Sequence, residues 1–141
     1  MHESLKNRIF ITFEHKQQTI MLIEVSNGEI ADKLTIIEIK LSKITDPEKR
    51  KNLQAEWDVL NSAVAQIIDK DHPLYQHLFE INSKLWVIED QCREHEKNKD
   101  FGSAFVEIAR SVYQSNDERA AVKKEINKLT GSRLVEEKSY Q

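Results

Sequence analysis

Apolar positions recur along this chain with helical spacing, and the pattern is clearest after residue 25. Ile30, Leu34, Ile37, Leu41 and Ile44 follow one another at intervals of four, three, four and three, which is one stripe of an α-helix. Ser26 and Glu29, just ahead of the stripe, have the spacing of a capping box. Ile36 and Ile39 fall away from that stripe at about 100° per residue, so the helix is apolar on two sides and needs partners on both. It is predicted to be the inner helix of the domain, with Asp32 beside Ile36 and Ile39 on its second buried side. A charge placed there requires a partner.

The same spacing returns four times. Asp46-Pro47 is an N-cap followed by proline at the first helical position, and Leu53, Trp57, Leu60, Val64 and Ile67 make the stripe of a second helix. The short connection makes it an antiparallel neighbour of the first. Asp71-His72-Pro73 restarts the chain, and a third helix carries Leu74, Leu78, Ile81, Leu85 and Ile88. Tyr75, Phe79 and Trp86 form a second stripe beside that one, interrupted by Asn82. After the polar break Lys97-Asn98-Lys99-Asp100, a fourth helix holds Phe101, Phe105, Ile108 and Val112 and is expected to close at Gln114-Ser115-Asn116. Ser115 and Glu118 make another capping box, and a fifth helix with Val122, Ile126 and Leu129 ends at Gly131, a C′ glycine. Residues 8–14 and 19–25 are rich in β-branched and aromatic side chains and read as two short strands. The prediction is an all-α, antiparallel bundle of four to five helices with a short N-terminal β-hairpin or extended segment. The tail after Gly131 docks as an extended segment or stays loose.

Composition narrows this without changing it. The chain has 141 residues, 39% of them apolar and 32% charged, with three Gly and two Pro, which fits one domain of long helices better than a sheet. The net charge of −3 comes without a basic block, so nucleic-acid binding is not expected. A single cysteine, Cys92, cannot form an intramolecular disulfide, and a reducing cytoplasm is the simplest setting. No apolar run has the length of a signal peptide core or of a membrane helix, so no membrane insertion is expected.

Complete catalytic sets are missing from the pattern. Cys92 and His95 share a helix face but have no further Cys/His pair to complete a zinc site, so no metal and no cofactor is predicted. Glu29 and Asp32 form one Glu-x-x-Asp without the Glu-x-x-Glu of a helical, magnesium-dependent pyrophosphohydrolase. Cys92 has acidic neighbours at Glu89, Asp90, Glu94 and Glu96, which raise a thiol pKa and argue against a nucleophile. What remains is a set of polar residues at the margins of buried stripes: Asp32 and Glu38 on the first helix, Asn82, Trp86, Glu89 and Arg93 on the third, and Arg110, Tyr113, Arg119, Lys123 and Asn127 around the expected corner between the fourth and fifth. Paired across helices they form packing networks. Converging on a cleft, they suit an anionic or sugar-like ligand, with arginine for bidentate contact to phosphate or carboxylate and an aromatic ring for an apolar sugar face.

Several of these residues also carry a resemblance. The pattern Val25-Ser26-x-Gly28-Glu29-x-x-Asp32-Lys33-Leu34-Thr35-Ile36-Ile37-x-Ile39-Lys40, then Leu85-Trp86-x-Ile88-Glu89-Asp90, Ala109-Arg110-Ser111-Val112-Tyr113-x-x-Asn116-Asp117-x-Arg119-Ala120, Ile126-Asn127 and Glu136-Glu137-Lys138-Ser139-Tyr140 resembles a bacterial family of unknown function. The resemblance covers residues 21–140 and implies that residues 1–20 are an N-terminal extension to a single helical domain, 21–141. Related domains are seen near glycosyltransferases, which implies a setting in surface-polysaccharide assembly and no particular reaction. Two readings follow. The first is a cytoplasmic accessory module that binds a partner protein or its own copy as a homodimer. The second is a binding protein or enzyme for an anionic sugar or nucleotide-sugar, using the polar residues named above.

Overall fold

Three of the four helices start at a residue whose side chain caps them. The computed structural model describes residues 19–139. It contains α1 (Asn27–Lys43), α2 (Pro47–Ala65), α3 (Pro73–Lys97) and α4 (Ser103–Thr130). Ser26 caps α1 by accepting from the Glu29 N–H at 3.2 Å. Asp46 caps α2 by accepting from the Lys49 N–H at 3.1 Å, with Pro47 behind it at the first helical position. His72 does the same for α3 through Nδ1, which accepts from the Leu74 N–H at 3.1 Å. Gly131 closes α4 with φ +65°, a left-handed conformation that glycine adopts without a Cβ penalty.

The helix α1 is the interior one. It packs against all three others, whereas α2 packs against α1 alone. Ala31 and Leu34 on one side of α1 meet Val64 and Ile68, then Leu78, Ile81 and Leu85 of α3 and Val122 and Ile126 of α4, in one contiguous core. On the second side Ile39 is buried and Ile36 half-buried. Glycine permits the closest approach of α1 to α4: a Cβ on Gly28 would stand 2.5 Å from the Lys123 carbonyl oxygen. The Gly28 N–H instead donates to Asn127 Oδ1 at 2.6 Å, which satisfies one of the free donors of the first turn.

Two expectations need revision. The break at Gln114-Ser115-Asn116 does not occur, and one continuous α4 replaces the fourth and fifth helices. The apolar rhythm runs through the supposed break, because Phe105, Ile108, Val112, Ser115, Arg119, Val122 and Ile126 keep the three–four alternation. Ser115 is a small buried member of that stripe, 1% exposed, and not a cap. The capping box at Ser26 is also only half made. Glu29 does not return to the Ser26 N–H; its carboxylate accepts from Lys123 Nζ at 2.5 Å, because a largely buried ammonium requires a counter-charge.

The tail is docked. Ser26 Oγ donates to Glu136 Oε1 at 2.8 Å, Lys124 pairs with Glu137 at 2.9 Å, and Arg133 pairs with Glu24. Residues 19–26 form neither helix nor strand ahead of α1, and no strand forms among the described residues. The first expected strand, residues 8–14, lies outside them.

Candidate functional site

Three helices bring a buried polar network to the middle of the bundle. Asp32 and Thr35 come from successive turns of α1, Asn82 from the centre of α3 and Arg119 from α4. Asn82 sits between the charges: its Nδ2 donates to Asp32 Oδ1 and to Thr35 Oγ1, both at 2.8 Å, and its Oδ1 accepts from Arg119 Nη1 at 3.2 Å. This arrangement fixes which way the amide faces, since a flipped group would turn an oxygen to the carboxylate and N–H groups to the guanidinium. Thr35 Oγ1 in turn donates to the Asp32 carbonyl at 2.7 Å. Asp32 is 4% exposed and Asn82 5%. Burial pushes the Asp32 carboxyl above its ordinary value, against the Asn82 hydrogen bond and the charges of Arg119 and Lys123.

The outer edge of this network opens into a cleft of about 300 Å³. Ile36, Ile39 and Lys40 of α1 form one wall, Asn82, Leu85, Trp86 and Glu89 of α3 another, and Asn116 and Arg119 of α4 the third. Several of its polar groups have no partner among the described residues. Lys40, Asn116 and the Trp86 indole N–H make no hydrogen bond or ion pair with any described residue, and Arg119 uses one donor on Asn82. Among the described residues Glu89 meets only Arg93, at 3.9 Å across an exposed pair. The cleft thus offers two cations, one aromatic face, an amide and a carboxylate above an apolar floor.

The other sequence-level candidates lie elsewhere. Lys123 and Asn127 belong to a second network at the start of α1. Burial pulls the Lys123 ammonium down, but the Glu29 hydrogen bond and the charges of Asp32, Glu29 and Glu136 more than restore it, so its pKa stands raised. Glu136 is held low, first by the Ser26 hydroxyl, then, against its own burial, by Lys123. Glu38 bonds the buried Tyr75 hydroxyl and pairs with Lys70 at 3.5 Å, away from the cleft. Arg93 and Arg110 are exposed and pair with their own helical neighbours Asp90 and Glu107, each at 3.4 Å. Tyr113 is 54% exposed on the outer face of α4. The expected corner that would have gathered Arg110 and Tyr113 with Arg119 is absent, so a straight helix points them away from it.

Sequence reasoning missed Lys40. Its signal was present: it follows Ile36 by four residues and Ile39 by one, on the second side of α1. Among the described residues no group of three or more His, Cys, Asp or Glu is placed to hold a metal ion. His95 instead bonds the Asp100 carbonyl at 2.9 Å and packs on Phe105. None of the described helices is long and apolar enough to cross a membrane.

A family model described as a family of unknown function, DUF6165, matches residues 21–141. The chain belongs to that family. No curated protein and no solved structure matches the chain. The family match spans α1 to the docked tail, so both polar networks and every wall of the cleft lie inside it.

Proposed function

We propose that this DUF6165 chain is a binding module for a small polyhydroxylated anion of the sugar-phosphate class, held in the cleft between α1, α3 and α4. The observation that carries the reading is the set of polar groups around that cleft with hydrogen-bonding capacity left over among the described residues: Lys40, Asn116 and Trp86 without a side-chain partner, and Arg119 with one donor used on Asn82. Arg119 is fixed by Asn82 and presents its remaining N–H groups for bidentate contact with a phosphate. Lys40 adds a second positive charge from the facing wall. Trp86 supplies a ring for the C–H face of a sugar, and Glu89 and Asn116 accept and donate to hydroxyls. A volume of about 300 Å³ is at the small end of ligand sites, which favours a monosaccharide phosphate over a whole nucleotide sugar. Asp32 acts behind Asn82 as the anchor of the network and not as an acid or base on the ligand, since it does not line the cleft. An accessory role in surface-polysaccharide assembly is the setting that the family resemblance implies, and such a ligand is compatible with it.

Thermal-shift titration with glucose 1-phosphate, inorganic phosphate and glucose tests the reading. The sugar phosphate is expected to raise the melting temperature by mass action, phosphate less, and glucose not at all. Lys40→Ala and Trp86→Ala should weaken the shift, and Arg110→Ala, outside the cleft, should leave it intact. No shift with any sugar phosphate, or an equal loss in Arg110→Ala, would contradict it.

A further inference from the structure

The segment ahead of α1 is the least explained part of the surface. Ile20, Met21, Leu22 and Ile23 are 79%, 84%, 88% and 78% exposed, four large apolar side chains in a row. Isolated surface apolar residues need no explanation, whereas a contiguous run of this kind marks an interaction site. The segment belongs to no helix or strand, and no backbone hydrogen bond joins Ile20–Ile23 to any described residue. Its backbone N–H and C=O groups therefore have no backbone partner among the described residues and are available to pair as an added strand. Its far end is anchored: Glu24 is paired with Arg133 of the tail, so the ribbon leaves the bundle from a fixed point. From Met21 onward it lies within the family match.

We infer that the occupant is a second copy of this chain, pairing Ile20–Ile23 with its own counterpart across a two-fold axis. The sequence is self-complementary in the antiparallel sense. Centred between Met21 and Leu22, the pairing sets Ile20 against Ile23 and Met21 against Leu22, all apolar cross-strand pairs. Thr19 then faces Glu24, so no like charges oppose. A parallel, in-register pairing would set Glu24 against Glu24, which is unfavourable. An antiparallel pair is isologous, so it closes at two copies and leaves no open end for further addition through the paired edge. The buried area is on the order of half the roughly 800 Å² per partner of a standard interface. That fits a dimer in exchange with monomer at micromolar concentration. The cleft is remote from the ribbon in sequence and in contacts, so this inference stands or falls independently of the proposed ligand.

Sedimentation equilibrium of the full chain over the micromolar range tests it. The expected result is a reversible approach to twice the 16.5 kDa chain mass. The double variant Ile20→Glu with Leu22→Glu should remain monomeric, with helical circular dichroism and melting temperature unchanged, since neither residue contributes to the core. A strictly monomeric wild type would overturn the inference, and that is the result expected if residues 1–18 of the same chain cover the segment. A dimer whose dissociation constant the double variant leaves unmoved would overturn it equally.

Discussion

Asn82 bridges two opposite charges, donating to Asp32 and Thr35 and accepting from Arg119. Asn82→Leu keeps much of the volume but leaves a buried carboxylate without its donor. The expected loss of stability is about 3 kcal/mol by urea denaturation, the usual scale for orphaning a buried charged group. Asp32 has its own signature. Its pKa is raised in the folded protein, so the native state holds the proton more tightly than the unfolded chain does. Stability from this site is highest in acid and falls as pH rises through the raised value. Asp32→Asn cannot ionise, and its stability relative to wild type should therefore improve steadily from acid to neutral pH. Glu136 slopes the other way, because its pKa is lowered. Its stabilisation is present above the ordinary value of 4.5 and disappears as pH falls through the lowered one. Glu136→Gln should therefore be less stable than wild type at neutral pH and indistinguishable from it in strong acid. Gly28→Ala forces a methyl group against the Lys123 carbonyl and should cost about 2–3 kcal/mol as α1 and α4 are pushed apart; Gly102→Ala, with nothing nearer than 3.6 Å, should cost far less.

At the scale of elements, periodicity and caps made most of the bundle readable. The two apolar sides of α1 foretold an interior helix, and Asp46-Pro47, His72-Pro73 and Gly131 marked three helix ends that formed as expected. The helix continues through 114–116 because the apolar rhythm outweighs the local polar composition. Gln114-Ser115-Asn116 looks like a stop, yet no Gly or Pro lies between Gly102 and Gly131, and the stripe passes through Ser115 without a phase change. The candidate site was legible only in part for a related reason. Helical angle shows which residues share a face, and so it found Asp32, Asn82, Trp86, Glu89 and Arg119. It does not show which faces meet, and so Arg110, Tyr113 and Arg93 entered with them while Lys40 did not. The tail network was hidden for the same cause, because Ser26, Lys123 and Glu136 are joined only by tertiary contact.

At the scale of the whole molecule, an interior helix gathers three partners and its second side reaches the surface at a cleft whose polar groups are only partly paired among the described residues. The two tryptophans provide an internal comparison. Trp86 lines the cleft, whereas Trp57 lies on α2 with Lys70 Nζ 5.0 Å from its ring centre. The decisive measurement is a titration of the ¹⁵N-labelled protein with glucose 1-phosphate, following the two indole N–H resonances. The account predicts a saturable displacement of the Trp86 signal with the Trp57 signal fixed. A Trp86 resonance that does not move, or two indole signals that move together, would contradict it.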